Sequence, residues 1–167
     1  MTDSFLADQA RYREAMSRLG AAVNVITTAG PEGDVGFTAS AVCSVTDDPP
    51  TLLVCMNRSS KSSAAFHASR VLCVNVLTHE HEALPAPFAS VGELPMAERF
   101  ALGKWRRLAT GSPVLENAAA AFDCTIDQVV EVGTHSVFFC GVKAISLGRA
   151  TAGLIYHGRA YHKISAA

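Results

Sequence analysis

The sequence predicts a mainly β protein, an antiparallel barrel with a few peripheral helices. Runs rich in β-branched and aromatic residues follow one another through most of the chain, short Gly- or Pro-containing turns join them, and few windows show helical spacing. A doubly wound sheet would alternate strands with helices and carry a Gly-rich loop after a strand. The chain has no GxGxxG, and Gly103-Lys104 is followed by Trp105 where a P-loop needs Ser or Thr.

Leu6, Ala10, Ala15, Met16 and Leu19 recur among charges at helical spacing, which predicts an amphipathic opening helix over residues 4–19 ended by Gly20. The period then changes. "AAVNVITTA" and "GFTASAVCSV", either side of the turn "GPEGD", predict a strand pair. Asp47 and Asp48 in "TDDPP" mark a turn, after which "TLLVCMN" predicts another strand. "SSKSSAAFHAS" predicts a short helix and "RVLCVNVL" a β-rich run whose polar interruption is Asn75. "HEHEALPAPFAS" and "PMAERFAL" predict short helices or loops interrupted by proline. "AAAAFDCTIDQVVEVG", "THSVFFCGVKAISLG" and "GLIYHGRAYHKI" predict long strands separated by Gly-containing turns.

At 167 residues the chain fits one domain, residues 1–167, since a chain of about 150 residues buries roughly 70% of its unfolded surface. With 49% hydrophobic and 17% charged residues and a formal net charge of -1, the chain is not of disordered type and offers no basic field for nucleic acid. No apolar run approaches bilayer-spanning length, and the N-terminus lacks a basic region followed by an apolar signal segment, so the expected location is the cytoplasm, without a membrane. The five cysteines, Cys43, Cys55, Cys73, Cys124 and Cys140, are odd in number, form no CxxC pair and lie mostly in apolar runs. They read as buried reduced thiols, Cys43 being the position open to a catalytic role.

Four segments could carry chemistry. In Thr38–Ser44 small hydroxyl-bearing residues alternate with Ala and Val: such a strand either solvates one polar face or lets a planar ligand approach the backbone. In "NRSSKSSAAF" a strand ends and a helix begins. Ser59, Ser60 and Ser62 could cap the helix, and its free N–H groups with Lys61 would suit a phosphate. Together the two segments propose one site, with a ring at a strand and a phosphate at the next helix. His135 sits in a turn between two long strands, and His157, Arg159, Tyr161 and His162 cluster near the C-terminus, where imidazole and phenol could meet a second planar substrate. "HEHE" at 79–82 lacks the HExxH spacing that puts two imidazoles on one helix face, so it reads as a solvated helix start and no metal site is expected.

The segments "FTASAVCSVTDDPPTLLVCMNRSSKS", "LCVNVL", "ERF", "FDCTI", "VGTHSVFF" and "GLIYHGRAYHKI", in this order, resemble the flavin reductase family with the FMN-binding split-barrel fold, the small reductase components of two-component flavin-dependent monooxygenases. The resemblance covers residues 12–164. It implies hydride transfer from NADH or NADPH to FMN, with FAD the alternative, and supply of reduced flavin to a partner monooxygenase by a homodimer. It implies that Thr38, Ala39, Ser40, Ala41 and Ser44 border the flavin ring and ribityl chain, that Asn57, Ser60, Lys61 and Ser62 surround the phosphate, and that Arg99 and Phe100 touch the flavin. It further implies that His135 lies by the nicotinamide and that His157, Arg159 and Tyr161 help hold NAD(P)H. Thr134 stands before the histidine where the family often has Asp. Two rivals remain at this stage: a flavoprotein that keeps its FMN and reduces another acceptor such as a corrinoid, and a noncatalytic flavin-binding module.

Overall fold

The computed structural model describes residues 7–149 and 152–165. The chain opens with α1 (Gln9–Ser17), whose first turn is capped by Asp8 accepting from the Arg11 N–H at 2.8 Å. Strands β1 (Ala21–Ala22), β2 (Asn24–Gly30), β3 (Gly33–Ala39), β4 (Val42–Asp47) and β5 (Pro50–Asn57) follow. Helix α2 (Ser63–Ser69) leads to β6 (Val71–Val76), a single 3-10 turn (His79–His81), α3 (Pro85–Phe88) and α4 (Met96–Phe100). The remainder is β: β7 (Trp105–Arg107), β8 (Pro113–Leu115), β9 (Ala120–Val132), β10 (His135–Leu147), β11 (Gly153–His157) and β12 (Ala160–Ile164).

The main sheet has the order β3-β2-β6-β9-β10-β5-β4 with every pairing antiparallel, as the sequence predicts. Its two edges, β3 and β4, are consecutive in the chain and separated only by Ser40 and Ala41. The stretch predicted as one strand is therefore two, on opposite edges. A trans chain advances at most about 3.8 Å per Cα step, so two residues can join the edges only if the sheet curls back on itself. The Cys55 N–H donates to the Ala41 carbonyl at 3.0 Å and fixes the crossing against β5.

Inside the curl lies the main core, with Ile26, Leu52, Val54, Met56, Leu72, Val74, Ile126 and Phe138 around Phe66 of α2. A second apolar cluster lies on the other side of β2, where Val23 and Val25 meet Leu77, Leu84, Phe88, Leu115 and Leu154. Because both its faces are covered, β2 is buried from Asn24 to Thr28 instead of alternating.

Asn75, the polar residue of the β6 run, joins the two layers. Its amide donates to the Val25 carbonyl at 3.0 Å and the Thr27 hydroxyl at 3.2 Å, and its carbonyl accepts from the Leu115 N–H at 2.7 Å. Buried Asp123 accepts from the Thr110 N–H at 2.7 Å and from its hydroxyl, which holds the loop before β8. The β7–β8 hairpin, which the sequence reading passes over, is anchored by these side chains and not by its own short ladder.

Other expectations change in detail. Leu6 lies outside the described residues, and α1 ends at Ser17 with Arg18, not Gly20, as its cap. Its apolar residues enter no core: Tyr12, Met16 and, just beyond it, Leu19 are 62%, 44% and 60% exposed. Ser62 precedes α2 in a helical conformation and makes no side-chain cap hydrogen bond. His79 and His81 are half-buried and used locally rather than solvated. The Thr78 N–H donates to His81 Nδ1 at 3.2 Å, and burial lowers the His81 pKa.

Replacing Asn75 with Ala leaves the buried Leu115 N–H without its acceptor and removes the bonds its amide donates. Each orphaned buried group costs about 1–3 kcal/mol, so Asn75→Ala is expected to lower stability by about 2–4 kcal/mol in urea unfolding. A loss under 0.5 kcal/mol would contradict the joining role.

Candidate functional site

Where the two edges of the sheet meet, the structure forms a cavity of ≈ 770 Å³. One wall is the end of β3 and the crossing, with Phe37, Thr38, Ala39, Ser40 and Ala41. A second is the end of β5 with the loop after it, contributing Cys55, Met56, Asn57, Ser59, Ser60 and Lys61. Phe88, Ala89, Ser90, Glu93 and Arg99, around and between α3 and α4, form a third, and His135 stands at the first position of β10.

Sheet register explains why the distant segments converge. In the β5–β10 pairing His135 lies opposite Asn57, so the turn histidine and the start of the Ser-rich loop are neighbours across one ladder step. Cys55 and Asn57 share a face because strand side chains alternate. The loop after Asn57 is organised by that residue, whose Oδ1 accepts from the Ser59 N–H at 2.9 Å and the Ser59 hydroxyl at 2.8 Å. Ser60 closes the turn through its N–H to the Asn57 carbonyl at 3.1 Å.

Side-chain bonds tie the third wall together. Arg99 Nε donates to the Leu94 carbonyl at 2.6 Å and Nη1 to the Ser90 hydroxyl at 3.4 Å. Thr38 donates its hydroxyl to the Pro85 carbonyl at 2.6 Å, tying α3 to β3. Phe88 passes over Gly36: a Cβ there would lie 2.9 Å from the Ile26 carbonyl oxygen and 3.0 Å from Phe88 Cε1, so only glycine lets the ring settle against the strand. Phe100 and Trp105 support that ring with centroids 5.2 Å and 6.0 Å from it.

Of the residues singled out from the sequence, Thr38, Ala39, Ser40, Ala41, Asn57, Ser60, Lys61, Arg99 and His135 line this one cavity. Ser44 lies exposed on β4, Ser62 is buried ahead of α2, and Phe100 stands behind Phe88; these three are not among the lining residues. Tyr161 lines a smaller hollow of ≈ 230 Å³ with Tyr156 and Val23, which shares Thr38, Ser40 and Ala89 with the first. His157 and Arg159 lie at the tip of the β11–β12 hairpin. Arg159 pairs with Glu14 of α1 at 2.9 Å, and the His157 carbonyl oxygen lies 2.9 Å from His162 Nε2.

Ser59 of the Ser-rich segment lines the cavity as well, while the sequence reading missed Phe37, Cys55, Met56, Phe88, Ala89, Ser90 and Glu93 as lining residues. Strand alternation back from Asn57 could have found Cys55. The third wall has no comparable signal, since its conformation depends on Ser90 and Glu93 at φ 64° and 53°, rare for residues with a side chain.

A planar heterocycle bearing a phosphate fits these residues. The volume lies within the range of small-molecule sites, apolar Phe37, Ala39 and Phe88 offer ring contacts, and Lys61, Arg99 and the hydroxyls of Ser59 and Ser60 offer charge and donors to an anion. Among the described residues no group of three or more His, Cys, Asp or Glu could hold a metal ion. No helix among them is long and apolar enough to cross a membrane.

A curled antiparallel sheet with such a cavity at its meeting edges defines a barrel that binds a small molecule at its seam. Residues 16–165 match the model of the flavin reductase like domain, and the chain belongs to that family. It is 61% identical over 158 residues to an FMN reductase (NADH) RutF of Variovorax paradoxus, covering 95% of this chain and 87% of that protein. A crystal structure from Haemophilus somnus assigned as a flavin reductase superimposes with a TM-score of 0.91 at 44% identity, covering 95% of this chain and all of the other. BorF, the flavin reductase component of a bacterial two-component tryptophan halogenase, gives 0.88 at 25% identity over 96% of this chain and 100% of BorF. The fold is the split barrel of these reductases.

The thiols sort by position. Cys43 is exposed and Cys55 faces the cavity, its pKa raised by partial burial. Cys73, Cys124 and Cys140 are buried, and burial is the first cause raising each, Cys140 to about 12. The thiolate is the nucleophile. Iodoacetamide is therefore expected to alkylate Cys43 first and Cys55 more slowly in the folded protein, with the other three reacting only on unfolding; peptide mass mapping reads the order. Reaction of Cys124 at the rate of Cys43 would contradict it.

Proposed function

We propose that the chain is an NADH-dependent FMN reductase that supplies reduced flavin to a separate monooxygenase. The observation that carries this is the shared cavity in which His135 sits opposite Asn57, at the start of the loop bearing Ser59, Ser60 and Lys61. The relatives named FMN reductase (NADH) support the choice of FMN over FAD and of NADH over NADPH. BorF, the reductase component of a two-component system, supports delivery of reduced flavin to a separate partner component.

The residues have placement tasks. Ser60 and Lys61, with Arg99, hold the flavin phosphate. The small residues Thr38 to Ala41 let the ring approach the backbone, with Phe37 and Phe88 close by. His135 orients the nicotinamide, and Tyr161, in the adjoining hollow, contacts the rest of NADH. FMN supplies the ring that accepts a hydride. Such a transfer needs two rings held at near-attack distance more than it needs an acid–base pair, and positioning of this kind is worth up to about 7–11 kcal/mol of barrier. Phe100 acts from behind Phe88. Ser44, Ser62, His157 and Arg159 are assigned no direct contact in this reading.

Residues 1–167 are read as one domain, supported by the family match across residues 16–165. The working unit is a homodimer. Exposed Tyr12, Met16 and Leu19 on and just after α1, and exposed Ile145 and Leu147 near the end of β10, support this, since neighbouring exposed apolar residues mark association surfaces. Five free thiols support a reducing, cytoplasmic location.

Anaerobic NADH oxidation with varied free FMN tests the proposal. Saturable reduction, with reduced flavin passing a size filter, is the expected result; flavin that stays bound would overturn delivery, and no NADH oxidation would overturn the reductase reading. Ser60→Ala with Lys61→Ala is expected to weaken FMN by at least about tenfold while changing riboflavin, which lacks the phosphate, by less than about twofold in fluorescence titrations. Equal losses would remove the phosphate assignment. His135→Ala is expected to slow flavin reduction by about 10- to 100-fold with FMN affinity held within about twofold, as stopped-flow traces and titration would show.

A further inference from the structure

The turn that carries His135 is fastened from outside the cavity. Gly133 and Thr134 form a two-residue connection between β9 and β10, with Gly133 at φ 55°, as a tight hairpin of this kind requires at its first position. Beyond this hairpin geometry, Arg58 supplies the main fastening. Its N–H donates to the Thr134 carbonyl at 3.0 Å, its guanidinium donates to the Gly133 carbonyl, and Nη1 meets the Glu131 carboxylate at 2.9 Å.

Glu131 extends the hold beyond the turn. Its Oε1 accepts from the buried Ser136 hydroxyl at 2.9 Å, and that hydroxyl lies 3.3 Å from His67 Nε2. The His67 ring in turn packs edge-on against Phe138, centroids 5.3 Å apart. Residues on both sides of His135 are thus fixed, whereas the hydrogen-bond partner of its own ring among the described residues is the Thr134 hydroxyl at 2.9 Å from Nδ1. Where the ring stands therefore follows from where the turn stands.

We propose that Arg58 is a positioning residue for the reductase reaction: it ties the turn bearing His135 to the loop bearing Ser60 and Lys61. The inference rests on the reading of His135 as the nicotinamide-side residue. Arg58 does not line the cavity. Its ion pair is half-exposed on both sides, and exposed pairs contribute little to stability, so the geometry of the pair matters more than its strength. Two diverging acceptors, a carbonyl and a carboxylate, require a planar fork; a lysine carries the charge but cannot reach both.

The test is a double-mutant cycle read by anaerobic stopped-flow reduction of FMN by NADH in the wild type, Arg58→Lys, His135→Ala and the double variant. Arg58→Lys is expected to slow reduction by about tenfold or more, since a misplacement of about 1 Å can cost 100-fold, while FMN affinity stays within about twofold. In the His135→Ala background the same change is expected to add less than about twofold. An equal loss in both backgrounds, or no loss in Arg58→Lys alone, would overturn the proposal. If His135→Ala alone leaves the rate unchanged while Arg58→Lys lowers it, the nicotinamide-side reading fails as well, and Arg58 acts by another route. Amide hydrogen exchange of residues 134–136, read without substrate, is expected to rise by about tenfold in Arg58→Lys. Unchanged exchange would overturn the clamp whatever the activity.

Discussion

The chain crosses from one edge of its main sheet to the other in two residues. Ser40 and Ala41 can do this only because the sheet closes on itself, and the closure creates the space in which the site lies. Two residues with larger side chains could make the same crossing, but their bulk would occupy the cavity wall they form. Topology thus selects the position of the site, and side-chain size keeps it open.

Closure leaves the cavity with two walls from the sheet, so the remaining wall has to be brought in from outside. The second apolar layer does this. Asn75 and Asp123 fasten the β7–β8 hairpin and its loop to the barrel, Trp105 of that hairpin packs on Phe88 and Phe100, and Phe88 reaches the cavity over Gly36. Buried polar groups far from the cavity thereby define one of its surfaces. Such groups are costly unless fully paired, and here the pairing fixes one arrangement of hairpin against sheet.

Much of this was legible in the sequence. Period-two patterning showed most of the main-sheet strands, and the hydroxyl-rich run from Thr38 together with Asn57 to Lys61 pointed to the two sheet walls, because those features are local. Ser40–Ala41 looked like the middle of a strand, since nothing in its composition marks a change of partner; only the pairing of β3 with β2 and of β4 with β5 divides it. The wall from Phe88 to Arg99 was visible only through family resemblance at Arg99 and Phe100, and Phe100 proved to act from behind. Arg58 was hidden for a similar reason, because its acceptors at Glu131 and Gly133 lie more than seventy positions away.

The pairing of Asn57 with His135 makes the interval between the two halves of the site a rung of the sheet. Opposed residues on antiparallel strands stand about 4.5–5.5 Å apart whatever side chains they carry. Thermal robustness and working geometry are accordingly separate properties in this barrel. A lesion deep in the core shortens the lifetime of the folded state, yet each molecule in which the end of the β5–β10 ladder and the Arg58 hold on its turn persist keeps the same gauge between its two anchor points.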